Sequence, residues 1–131
     1  MNESPLEYLR QWLIKANEDI AVILELSSGH PEHYCSAISF HSQQAVEKFL
    51  KAFLVYHRKE FERTHDVDFL LAECMSIDEL GFEDLDLKDI SDYAVAVRYP
   101  DDFLIPSVEE ALGHLKIALL VKEIIERKIA I

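Results

Sequence analysis

Between Ile38 and Leu54 the chain has the pattern of a single amphipathic helix, and this stretch constrains the fold more than any other. At 100° per residue, Ile38, Ala45, Val46, Phe49, Leu50, Ala52 and Phe53 share one broad apolar arc. His41, Gln43, Gln44, Glu47, Lys48 and Lys51 share the opposite arc. That polar side gathers two amides, an imidazole, a carboxylate and two ammoniums, a set able to hold a ligand. Two readings stand: the solvated back of a core helix, or a binding wall inside a helical protein.

The rest of the chain supports the helical reading. Ser4-Pro5-Leu6-Glu7 has the order of a helix start, with Ser as N-cap, Pro at the first helical position and Glu closing a capping box. Leu6, Leu9, Leu13, Ala16, Ile20 and Ile23 then recur at spacings of three and four, up to Ser27-Ser28-Gly29, with Gly29 as a left-handed cap. Pro31 and Glu32 open the second helix, which runs to about Arg58. A third helix is expected from His65 to Met75, and a fourth from Leu85 to Val97 with Leu87, Ile90, Ala94 and Val97 inward. Pro100 bars continuation through Arg98-Tyr99. The last helix starts at the capping box Ser107-Val108-Glu109-Glu110 and presents Leu112, Leu115, Leu119 and Ile125. Gly113 inside it implies a close helix contact, since Gly there costs about 1 kcal/mol against Ala. With Gly and Pro at only three and four, residues 1–131 read as one all-α domain, an antiparallel up-and-down bundle of four to five helices. The second and last helices are apolar around more than half their circumference, which argues for a homodimer.

Composition narrows the partners. No run of 18 apolar residues spans a membrane, the first residues lack the order of a secretory signal, and Cys35 and Cys74 read as small buried hydrophobes of a cytoplasmic protein. A net charge of −12 opposes unaided DNA or RNA binding. The charge is uneven, though: residues 41–65 hold five Lys and Arg against three acids, and residues 66–105 two against twelve. An anion site therefore belongs at the end of the central helix and on Arg58-Lys59-Glu60-Phe61-Glu62-Arg63-Thr64-His65, while the acidic block suits a basic partner surface.

Four blocks in this order, Trp12-Leu13-Ile14-Lys15-Ala16-Asn17-Glu18-Asp19-Ile20, Phe40-His41-Ser42-Gln43-Gln44-Ala45-Val46-Glu47-Lys48-Phe49-Leu50-Lys51-Ala52, Thr64-His65-Asp66-Val67 and Arg98-Tyr99-Pro100, resemble the landmarks of the HEPN domain. The resemblance implies a helical bundle, usually dimeric, often encoded beside a minimal nucleotidyltransferase as a toxin–antitoxin pair. It also implies either nucleotide binding or metal-independent RNA cleavage. Cleaving members place a His four to six residues after an Arg. Arg98 matches that Arg, but Tyr99 through Ile105 contain no His, and Asp101 and Asp102 stand there instead. A non-cleaving binding module is thus the leading expectation, with a ribonuclease using a displaced acid/base (His65 or His41) and a purely structural adaptor as alternatives.

The candidate nucleotide-binding residues are His41, Gln44, Lys48, Lys51, His65, Arg98 and Tyr99, with Arg98 catalytic if the protein cuts. Each has a plainer role: Lys51 pairing with Glu47, His65 docking the third helix, Arg98 bracing its loop against Asp101 or Asp102, and Trp12 and Tyr99 as core aromatics. No cofactor or metal site is expected, because Pro31 separates His30 from His33 and His41, His57 and His114 show no ligand spacing.

Overall fold

The computed structural model describes residues 4–95 and 105–130. Four α-helices carry the architecture: α1 (Pro5–Ser27), α2 (Cys35–Tyr56), α3 (Val67–Ile77) and α4 (Val108–Lys128). Short 3₁₀ turns occupy Pro31–His33 and Ile90–Tyr93, and there is no strand among the described residues.

The caps follow local chemistry. Ser4 Oγ accepts from the Glu7 amide at 3.1 Å, satisfying one of the free donors of the first turn. Asp66 does the same for the Phe69 amide at the start of α3. Ser107 and Glu110 form both arms of a capping box, at 3.0 and 2.9 Å. At the end of α2 the Arg58 amide bonds Val55 O and the Lys59 amide bonds Leu54 O, both at 2.9 Å. That is a Schellman closure, and its left-handed position belongs to Arg58, at φ 55°.

α2 is the central element, packed on α1, α3 and α4. Fourteen of its 22 residues are buried, more than one apolar arc could account for. Phe49, Phe53, Leu50 and Leu54 are fully buried beside Ile23 of α1, Leu70 of α3 and Ile125 of α4, each worth about 1.5–3 kcal/mol of transfer free energy. Phe82 closes the far end edge-on to Phe53, ring centroids 5.9 Å apart. The turn that brings it there uses Gly81 at φ 89°.

Several sequence expectations need correction. The second helix does not start at Pro31: Pro31–His33 is a separate 3₁₀ turn, and α2 begins at Cys35. Gly29 is not left-handed; among the described glycines only Gly81 has positive φ. No helix runs from Leu85, where the described residues form turns and the 3₁₀ segment Ile90–Tyr93. Leu87 and Ile90 do point inward as expected. Gly113 meets no close helix contact, as a Cβ added there would find nothing within 4 Å. Leu112 and Leu119 are only partly buried, and His114 and Ala118 take the core positions instead.

Candidate functional site

The polar arc of α2 is not a solvated face. Gln43 is 0% exposed, Glu47 4% and Lys51 6%, so the groups that looked like surface are enclosed. Glu47 is the hub. Its Oε2 accepts from Lys51 Nζ at 2.9 Å, and its Oε1 accepts from His65 Nδ1 at 2.9 Å and Gln43 Nε2 at 3.2 Å. Gln43 Nε2 also donates to the His65 carbonyl at 3.2 Å, and Gln44 Nε2 to Gln43 Oε1 at 2.7 Å. Burying a carboxylate requires this much compensation. Lys51 is further held by aromatic faces, its ammonium 5.4 Å from the Trp12 ring centre and 5.9 Å from that of Phe61.

This network forms the floor of a cleft of about 1290 Å³ between the start of α1, the end of α2 and the segment leading to α3. Lys48, Lys51, Arg58, Lys59 and Arg63 line it against two carboxylates, Glu47 and Glu60. Lys48 is engaged by Asp19 at 2.6 Å and Lys59 by Glu73 at 3.1 Å. Arg58 and Arg63 are exposed and have no carboxylate partner among the described residues. Two free guanidiniums beside an aromatic wall of Tyr8, Trp12 and Phe61 offer phosphate forks and stacking faces together. The side chain of His65 is 70% exposed at the edge of the cleft, although its Nδ1 is pinned to a buried carboxylate. Because the carboxylate accepts, Nδ1 carries the proton and Nε2 is the open nitrogen.

The candidate residues divide accordingly. Lys48, Lys51 and His65 converge on the cleft. His41 turns away, donating from Nδ1 to Asp19 Oδ1 at 2.8 Å, so Asp19 clamps His41 and Lys48 together between α1 and α2. Gln44 orients Gln43. Arg98 and Tyr99 lie outside the described residues, as do Asp101 and Asp102. Tyr8 and Trp12, neither among the candidate binding residues, also line the cleft. Gln43 is a buried anchor, for which the sequence signal is its place one turn before Glu47.

A second polar constellation, Ser39–His114–Asp89, has the residue types of a nucleophilic triad. His114 bridges Ser39 Oγ at 2.7 Å and Asp89 at 2.8 Å. Ser39 and His114 are 0% and 2% exposed, however, so no substrate reaches the hydroxyl. The arrangement is a brace: with the Tyr93 ring tilted against His114, centroids 4.9 Å apart, it ties the 3₁₀ turn to α2 and α4. No group of three or more metal-ligating side chains occurs among the described residues.

Residues 9–128 match the family model described as HEPN domain. No curated protein and no solved structure matches the chain.

Proposed function

Because the chain belongs to the HEPN family, we propose that it is a binding module whose basic, aromatic-walled cleft holds a nucleotide. The observation that carries this reading is charge inversion. In a chain of net charge −12, the lining of the cleft carries five Lys and Arg against two Glu, and two of those cations, Arg58 and Arg63, have no carboxylate partner among the described residues. A phosphate enters between Arg58 and Arg63, and a base stacks on the Trp12 or Tyr8 ring. The Arg98 landmark without a following His makes binding, rather than the family's Arg–His cleavage chemistry, the primary activity. Trp12 is the sole tryptophan and stands in the cleft wall, so its fluorescence reports occupancy directly. Titration with ATP, GTP and AMP, by fluorescence and calorimetry, yields saturable binding that weakens with salt and is lost in Arg58→Ala/Arg63→Ala. No heat and no Trp12 response at millimolar nucleotide defeats the proposal.

Partners belong to the same reading. Ile14 and Leu24 on α1 and Leu120 on α4 stay exposed, which favours a homodimer over a monomer, and sedimentation across a concentration series tests it. The acidic stretch after the cleft suits a basic partner, with a minimal nucleotidyltransferase the expected one in a toxin–antitoxin-type pair. Pull-down with such an enzyme, followed by salt elution, tests that association.

A further inference from the structure

We infer that a second groove, between the end of α2, residues 78–85 and the end of α4, docks an amphipathic protein segment bearing Lys or Arg beside aliphatic side chains. The groove measures about 780 Å³ and shares no lining residue with the basic cleft, so its role is independent of the nucleotide reading. Its floor is apolar: Phe53 is fully buried, and Tyr56, Leu85 and Ile124 are half-buried around it. Two leucines that line it stay exposed, Leu120 at 43% and Leu80 at 72%. Leu80 does not stand on a loose loop. Its amide bonds Asp78 Oδ1 at 3.0 Å, and Asp78 Oδ2 accepts from the Lys128 ammonium at 2.7 Å. Two residues further on, Phe82 is buried edge-on to Phe53. With Gly81 turning the chain at φ 89°, Leu80 is pinned outward as Phe82 is pinned inward. A leucine held in water by a fixed turn, beside an apolar floor, has the form of an anchor for a partner.

Charge identifies the partner. The cations of this groove are engaged within it. Lys128 lies between Asp78 and the face of Phe82, its ammonium 5.3 Å from the ring centre, and Arg127 pairs with Glu123. Asp84 has no Lys or Arg partner among the described residues, and neither have Glu79, Glu83 and Asp86 beside it in the chain. All four are exposed. Three helices also end at the groove: α2 through Tyr56, α3 through its C-cap Asp78 and α4 through Lys128. Each C-terminus adds partial negative charge and favours a cation nearby. An anion is therefore repelled, and Lys or Arg side chains are drawn in. A small amine would meet one carboxylate and one apolar wall. Two exposed leucines and four exposed acids instead fit a segment whose cations flank an aliphatic face, seated as a helix in a groove.

The test uses the full chain and a fluorescein-labelled peptide of about 14 residues with Leu and Lys at helical spacing, followed by anisotropy. Two control peptides replace every Leu by Ser or every Lys by Glu. The Leu/Lys peptide should saturate and bind at least about tenfold tighter than either control. Leu80→Ser and Leu120→Ser change exposed positions, so their melts should match wild type, yet each should weaken the peptide about tenfold. Glu83→Gln/Asp84→Asn should weaken it several-fold and flatten its salt dependence. Glu18→Gln/Glu25→Gln removes equal charge from exposed sites on α1, which contributes nothing to the groove, and should leave the affinity near wild type. Equal weakening by the two pairs reduces the attraction to diffuse charge and overturns the inference. So does a control peptide that binds as tightly as the parent, or an affinity untouched by Leu80→Ser. Sedimentation of the protein alone separates the remaining occupant: a dimer that Leu80→Ser or Leu120→Ser dissociates gives this face to a second copy and overturns the docking of another protein's segment.

Discussion

Glu47→Leu, Lys51→Met and their combination test whether the buried ion pair is organised as the structure indicates. Removing one partner of a buried pair costs about 3–5 kcal/mol, because the other charge stays in a poor solvent, whereas replacing both by apolar groups is near neutral. The two single substitutions leave different remainders. Glu47→Leu strands the Lys51 ammonium, whose side chain is 8% exposed, with only the Trp12 and Phe61 faces as partners. Gln43 keeps its bond to the His65 carbonyl, and the exposed His65 ring finds water. Lys51→Met frees only Glu47 Oε2, since Oε1 still accepts from His65 and Gln43. The loss in Glu47→Leu should therefore sit near 3–5 kcal/mol, and that in Lys51→Met near the roughly 1–3 kcal/mol of one unmet charged hydrogen bond. The double variant should lose less than Glu47→Leu alone. Urea denaturation with a common m-value measures all three against the wild type, and the cycle yields the coupling. Equal single losses, or a double loss equal to their sum, would refute the hub arrangement.

Other perturbations follow from single features. Arg58→Gly should raise stability by about 1 kcal/mol by relieving a non-glycine residue at φ 55°, yet weaken nucleotide binding, so melting and titration should move in opposite directions. Gly113→Ala should add about 0.5–1 kcal/mol, because the helix gains propensity and the added methyl meets nothing within 4 Å; a melting curve in urea decides it. The Lys128 ammonium, bonded at 2.7 Å, and then the Leu80 amide hold the Asp78 carboxyl below its ordinary 3.8. A lowered folded value means the contribution is present above the unfolded pKa and disappears as pH falls through the folded one. The Tm gap between wild type and Asp78→Asn should accordingly persist at neutral pH and close below about pH 4. Burial pushes the Cys74 thiol up to about 12, so at pH 8 it should resist thiol reagents until the protein is unfolded.

Helical period and cap chemistry were enough to read the bundle: Ser4, Asp66 and Ser107 each cap a helix within two residues of its expected start. The absence of the expected helix over the described residues 85–95 has a geometric origin. Leu87, Ile90 and Tyr93 are buried at a spacing of three, which the turn Leu87–Ile90 followed by the 3₁₀ segment Ile90–Tyr93 satisfies as well as an α-helix does. What selects the turn is tertiary: Asp89 bonded to His114 and Ser91 to Asp68. The end of α2 hid its left-handed residue because that residue is Arg58, where glycine is the usual signal. The basic character of the cleft was legible from charge alone, as five Lys and Arg in residues 41–65 of an acidic chain. Which polar side chains reach it was not. Periodicity places His41, Gln44 and Lys51 on one face but does not say that Trp12 and Phe61 cover part of that face and Asp19 draws His41 away.

Glu47 presents the sharpest tension in the molecule. A cleft built only to hold phosphate gains nothing from a carboxylate in its floor, which repels the ligand and offsets one of the cations. Stability does not explain it either, since an apolar pair of similar volume would serve the core as well. The group makes sense through its three donors. It holds the Lys51 ammonium against the aromatic wall, fixes the Gln43 amide that holds the incoming loop, and sets the tautomer of His65. A residue that repels a phosphate and gives the core no more than an apolar pair would, yet determines the orientation of an exposed imidazole, is best accounted for by what that imidazole contacts in the cleft. The comparison of Glu47→Gln with His65→Ala therefore decides more than either alone: parallel loss of nucleotide affinity with an unchanged melt assigns the carboxylate to orienting the ring, and unaltered affinity with a lowered melt in Glu47→Gln leaves it as an anchor for the loop that precedes α3.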